Sequence, residues 1–141
     1  MQKYFCFVVI AVFVICVSGC GDNVKLKGKV TYSDDGSPLP QGTICFETSN
    51  FLARGEIQSD GTFAVSSTGK GDGLPKGTYS VYFSDMTILK AGERGAITQV
   101  VLVDPKFCNP TTSGLTCEVP YSSSLYEIQV DRPGTKNGAK K

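Results

Sequence analysis

Val24-Lys25-Leu26-Lys27-Gly28-Lys29-Val30-Thr31-Tyr32 decides the fold class. On an extended chain Lys25, Lys27 and Lys29 point one way, and Leu26, Val30 and Tyr32 point the other. Alternation with period two marks a strand with one wet face and one buried face. Three lysines on the wet face also discourage pairing with another sheet edge. A basic stripe touching lipid headgroups or anionic glycan is the competing reading, and the solvated strand face outweighs it.

The same pattern repeats downstream. Ser33 to Pro40 is a turn, because Asp35-Gly36 supplies a positive-φ position and the two prolines exclude helix. Thr43–Thr48 is expected to bury Ile44 and Phe46 and to turn Cys45 outward. Leu52–Ser59 should bury Ala53, Gly55 and Ile57, and Thr62–Ser66 should bury Phe63 and Val65. Ser59-Asp60-Gly61 between them reads as a hairpin turn. Thr78–Phe83 should bury Tyr79, Val81 and Phe83. Ser84–Gly95 has no clear period and reads as a loop with at most one helical turn. Ile97–Val103, Leu115–Val119 and Leu125–Asp131 complete the set, the last two with Leu115, Cys117, Val119, Tyr126, Ile128 and Val130 inward. Short strands, regular turns and no long helix predict an all-β protein, a seven- or eight-stranded antiparallel β-sandwich.

Upstream, Met1-Gln2-Lys3 is followed by an uncharged greasy run from Tyr4 to Val17. A basic start, a short apolar run and small residues at its end form a secretory signal. The run falls short of the roughly 20 apolar residues a spanning helix needs. It ends in Val17-Ser18-Gly19-Cys20, which resembles the lipobox of bacterial lipoproteins. The resemblance implies diacylglyceryl on the Cys20 thiol, cleavage before Cys20 and a further acyl chain such as palmitate on the new amine. Two or more chains anchor firmly where one does not. An uncleaved anchor with Cys20 as an ordinary thiol is the weaker alternative. The expected organisation is a signal peptide over 1–19, a lipidated tether over 20–23, the sandwich over 24–131 and a disordered basic tail over 132–141.

Composition removes several function classes. The chain has 14 basic and 13 acidic residues, and losing Lys3 leaves the mature chain balanced at 13 against 13. Such a chain has no global field to draw in nucleic acid. It has no histidine, hence none of the commonest general base or zinc ligand. Asp34, Asp35, Asp60 and Asp72 sit beside turn glycines, without the 6–8 converging oxygens calcium needs. Gly69 to Gly77 is glycine-rich, but its spacing fits neither a dinucleotide fingerprint nor a P-loop. No Ser-x-x-Lys or Gly-x-Ser-x-Gly motif positions a nucleophile. No catalytic residue, metal or cofactor is therefore expected.

Six cysteines divide by position. Cys6 and Cys16 leave with the signal, Cys20 takes lipid, and Cys45, Cys108 and Cys117 remain. An odd number in an oxidising compartment permits one internal bridge. Cys108–Cys117 is the candidate pair, and its loop closure would stabilise by about 2–3 kcal/mol. Cys45–Cys117 is a second option. The third is that Cys117 is simply a small buried apolar residue.

Gly28-Lys29-Val30-Thr31-Tyr32, Gly36 with Pro38-Leu39-Pro40, and Gly42-Thr43 with Phe46 together resemble the first hairpin of carboxypeptidase regulatory-like domains. Ser59-Asp60-Gly61-Thr62-Phe63, Gly71-Asp72-Gly73 and Gly77-Thr78-Tyr79-Ser80-Val81 continue the likeness. Lys106 to Thr116, with Tyr126-Glu127-Ile128, is similar to the C-terminal signature of small bacterial lipoproteins built on that domain. The resemblance covers nearly all of the mature chain and implies a transthyretin-like (prealbumin-like) sandwich. It implies little about activity, because the fold hosts many roles. Cys45, Cys108 and Cys117 depart from the pattern.

The expected function is a non-enzymatic, lipid-anchored structural or protein-interaction module of the bacterial cell envelope, on the membrane facing periplasm or cell exterior. Its partners would be the membrane, through acyl chains on Cys20, and an envelope protein or glycan. Recognition would use Gly69–Gly77, Ser84–Gly95 or an exposed sheet edge. The alternative is a small-ligand or glycan-binding lipoprotein using a pocket between subunits or exposed aromatics such as Tyr82 and Tyr121.

Overall fold

In the structure, a computed structural model, residues 23–70 and 72–134 are described. Seven strands form two facing sheets and two more form a separate ribbon. The first sheet has the order β4-β1-β9, with β1 Lys27–Tyr32, β4 Thr62–Ala64 and β9 Tyr126–Val130. The second has the order β3-β2-β5-β8, with β2 Gly42–Glu47, β3 Leu52–Ile57, β5 Gly77–Ser84 and β8 Leu115–Val119. The ribbon pairs β6 Thr87–Ala91 with β7 Ile97–Val101 around a 3-10 turn, Glu93–Gly95.

Burial follows the period-two reading. Leu26, Val30 and Tyr32 of the first strand segment are buried, while Lys25 and Lys27 are exposed. Ile44, Phe46, Ala53, Ile57, Tyr79, Val81 and Phe83 enter the core from the facing sheet. Phe46 links the layers, its ring centroid 6.2 Å from Phe63 and 6.1 Å from Tyr126. Gly28 makes room for this packing. A Cβ there would lie 2.2 Å from the Phe63 ring and 2.3 Å from the Tyr126 carbonyl.

Four details differ from the expectation. β1 and β9 are parallel, Gly28 opposite Tyr126 and Tyr32 opposite Val130. The first and last strands thus lie side by side, and the rest of the domain supplies the crossover that parallel pairing requires. The Ser59-Asp60-Gly61 turn does not yield a closed hairpin. Gln58 N–H donates to Thr62 and Arg54 exchanges bonds with Ser66, but β4 between them pairs with β1. Gly55 sits where β3 still lies close to β4, and a Cβ there would stand 3.0 Å from the Ala64 carbonyl. The sandwich thereby places its two layers one on each side of that turn.

The third difference is β6, inside a stretch expected to be a loop. The fourth concerns Cys45. It faces away from the core as expected, yet it is buried beside its strand neighbours Arg54 and Tyr82. Its Sγ lies 3.7 Å from Ser84 Oγ.

Candidate functional site

Strand direction gives the body two ends. At the first, Val24 exchanges backbone bonds with Leu74 as the chain enters β1. Gly73 holds φ +81°, and a Cβ on it would stand 2.1 Å from the Val24 carbonyl. The Asp72 carboxylate organises this glycine-rich loop by accepting from the backbone N–H groups of Ser67, Thr68 and Gly69. Those donors hold its carboxyl well below the usual carboxylate range. Asp72 is a turn organiser with its oxygens engaged.

At the opposite end β1 finishes at Tyr32, whose hydroxyl donates to the Leu102 carbonyl at 3.1 Å. The buried Asp131 carboxylate accepts from Ser33 Oγ at 2.5 Å and from Lys106 Nζ at 2.6 Å. This pair raises the Lys106 amine above its ordinary value. Arg132 reaches Asp34 and Asp35, each at 3.0 Å, with its guanidinium carbon 3.7 Å from the Tyr32 ring centroid. Asp35 is lowered to about 2, first by the Ser37 hydroxyl and amide and then by Arg132. Arg132, expected to begin a disordered tail, is thus docked. Residues 135–141 of that tail lie outside the described residues.

The ribbon springs from this same end. Asp85, with φ 57°, bends the chain out of β5. Leu102 N–H donates to the Met86 carbonyl at the root of the ribbon, and Gly92 N–H donates to Ala96 at its tip. Direct neighbours are Thr87 and Val101, Leu89 and Gln99, and Ala91 and Ile97. These six share one face, because residues directly opposite in an antiparallel pair point the same way. Ile88, on the other face, packs against the core. The free face is apolar and bare: Leu89 is 69% exposed, Ile97 73% and Val101 42%. An apolar sheet face left open to water marks a contact surface.

Sequence reasoning singled out Ser84–Gly95 but missed that half of it is a strand. The signal was present. Two β-branched runs, Thr87–Ala91 and Ile97–Val101, flank a short glycine-containing loop, which is a hairpin pattern. It was hidden because the outward positions are as apolar as the inward ones.

The expected Cys108–Cys117 bridge is not formed, and Cys45, Cys108 and Cys117 are free thiols. Cys117 pairs in register with Tyr79 and points into the core, whereas Cys108 ends the exposed 3-10 turn Pro105–Cys108. Ser113 fixes the intervening loop by donating to the Val81 carbonyl at 2.6 Å. Burial pushes the Cys117 thiol up to about 11, so it behaves as a small apolar core group. The lipobox residues Val17, Ser18, Gly19 and Cys20 lie outside the described residues.

Tyr82 and Tyr121 are not brought together. Tyr82 lies on the outer face of β5 opposite Cys45, and Tyr121 packs edge-on against Tyr126 at 4.9 Å. A wide concavity, about 1500 Å³, opens where β3 and β4 part. Lys27, Arg54, Glu56 and Lys70 line it, with Phe63 the one aromatic among its described walls. Ligand pockets usually measure about 300–1,000 Å³, and this wide opening exceeds that range.

No protein-family model matches the chain, and no curated protein matches it. Two solved structures follow a similar path. The major pilin subunit BcpA of Bacillus cereus overlays with a TM-score of 0.46 at 11% identity, covering 79% of this chain and 30% of the pilin chain. A 9R-lipoxygenase from Cyanothece PCC8801 overlays with a TM-score of 0.37 at 10% identity, covering 79% of this chain and 17% of the enzyme. The chain therefore spans less than a third of either protein. Likeness this loose concerns the path of the chain and not its activity.

Proposed function

We propose that this is a lipid-anchored protein of the bacterial cell envelope whose carboxypeptidase regulatory-like sandwich works by surface contact and not by catalysis. Acyl chains on Cys20 hold it to the membrane, residues 1–19 are removed, and the partner is an envelope protein met by the ribbon. One observation carries the reading. The chain enters the body beside Leu74, and the bare apolar ribbon leaves from the other end, beside Leu102 and Asp131. An anchor just before Asn23 therefore holds the ribbon away from the bilayer, toward other proteins. The segments that carry the family likeness support the reading by their places in the frame. Gly28–Tyr32 lies in β1, Gly42–Phe46 in β2, and Gly77–Val81 in β5.

The test is a comparison of the full chain with Cys20→Ala in bacteria fed labelled palmitate. The wild-type chain should take up label, lose its leader and sediment with membranes. Cys20→Ala should stay unlabelled and keep residues 1–19. An unlabelled wild type, or a Cys20→Ala chain that is still labelled, would overturn the anchor.

A further inference from the structure

Every edge strand of the two sheets carries a device against pairing with another chain. β4 has three residues, β3 carries Arg54 and Glu56, β8 carries Glu118 and runs into Pro120, and β9 carries Glu127. Short length, charge and proline are the usual means of blunting an edge. β7, Ile-Thr-Gln-Val-Val, has five residues and neither charge nor proline. An uncharged, β-branched, proline-free run is the kind of segment that seeks a strand partner.

The hydrogen-bond phase shows which groups are open. Gly92–Ala96 at the tip and Met86–Leu102 at the root are bonded pairs. Bonded pairs alternate with non-bonded ones along an antiparallel ladder. Thr98 and Val100 therefore bond to β6. Ile97, Gln99 and Val101 turn their N–H and C=O groups to the free edge of β7. Two of those three residues, Ile97 and Val101, are also among the most exposed apolar side chains. Among the described residues, backbone groups without a strand partner and bare side chains coincide here.

We infer that β7 pairs with β7 of a second copy, antiparallel about a two-fold axis at Gln99. This register places Ile97 against Val101 of the other copy and Gln99 against Gln99, so all the open backbone groups of Ile97, Gln99 and Val101 find partners. Ile97 and Val101 then extend a single apolar face across four strands, and a sheet needs three or more strands for independent stability. An interface in which each residue meets its counterpart's complement is what two-fold symmetry demands. Charge selects this edge over the other, because β6 carries Lys90 and β7 carries no charged residue. The contact is smaller than the roughly 800 Å² per partner of a standard interface, so the association is weak and concentration-dependent. The inference rests on the ribbon alone and is independent of the lipid anchor.

Cysteine cross-linking of the full chain tests it, with Cys108→Ser as background because Cys108 is an exposed thiol. Bonded antiparallel partners have Cα atoms about 5.5 Å apart, within disulfide reach of about 4.4–6.8 Å. Gln99→Cys should therefore give a disulfide-linked homodimer on mild copper–phenanthroline oxidation. Leu89 lies directly opposite Gln99 on β6. Two Leu89 positions would stand three strand spacings apart, about 14 Å. Leu89→Cys should stay at background. Dimer from Leu89→Cys and not Gln99→Cys would mean β6 pairing. Dimer from both would mean collision, and dimer from neither, or a cross-link to a different protein, would mean no self-pairing; each overturns the inference.

Discussion

In the sandwich, Val30, Phe46, Val81 and Ile128 turn inward, and their strand neighbours Lys29, Glu47, Tyr82 and Glu127 turn away. In the ribbon the order is reversed, with Leu89, Ile97 and Val101 facing water. The body closes on itself because two sheets each offer an apolar face. The ribbon has two strands, one face against the core at Ile88 and the other left uncovered by the described residues. Similar residue types thus serve different ends. Inside the body they hold the fold, and on the ribbon they stand in water.

The largest expected effect sets these regions apart by stability. Phe46→Ala removes the ring that packs against Phe63 and Tyr126 across the layers. It should cost about 3–5 kcal/mol. Leu89→Ala deletes a side chain already in water and should change stability by less than about 0.5 kcal/mol. Urea unfolding of both variants measures the difference. A Leu89→Ala loss as large as that of Phe46→Ala would mean that the ribbon belongs to the core.

The same contrast explains what could be read from the chain. The body was legible because burial on one face imposes alternation, and Leu26, Val30, Phe63, Val65, Tyr79, Val81 and Phe83 all obey it. Layer membership was not legible, since β4 leaves β3 to pair with β1 and no local pattern encodes that choice. Nor was the parallel β1–β9 pair, which joins residues about a hundred positions apart. Cys108 and Cys117 were close in sequence, but register sent one inward and left the other outside. At the candidate site, Ser84–Gly95 was picked out for its lack of period. Its strand was obscured by apolar residues that face outward as well as inward.

A smaller effect probes the joint between the two regions. Asp131, at the end of β9, holds Lys106 and Ser33, and its carbonyl accepts from Asp104 N–H just beyond the ribbon root. Asp131→Asn removes the charge that Lys106 and Ser33 meet. Loss of the charge and of one of the two acceptor oxygens costs about 1–3 kcal/mol. Hydrogen exchange should quicken at Leu102, whose N–H closes the root on Met86, and stay slow at Val81 in the middle of the second sheet. Equal acceleration at both would mean that body and ribbon open together.

The smallest effect is an acid response confined to the body. Asp35 is lowered from an ordinary 3.8 to about 2, chiefly because Ser37 donates both hydroxyl and amide to it. A carboxyl whose folded pKa is depressed binds fewer protons folded than unfolded. Its contribution is therefore complete above the unfolded value and fades as pH falls through the folded one. The window runs from about pH 4 down to about 2, and the exposed site makes the effect modest. Asp35→Asn should be slightly less stable than wild type at neutral pH, and the gap should close across that window. Backbone resonances of Ser37 and the Arg132 side chain should move with the same transition, because both bond to this turn. Gln99 and Thr98 on the ribbon should not move. A gap that persists unchanged to pH 2 would place the effect in the shape of the turn and not in its charge. Movement at Gln99 would join two regions that the fold keeps apart.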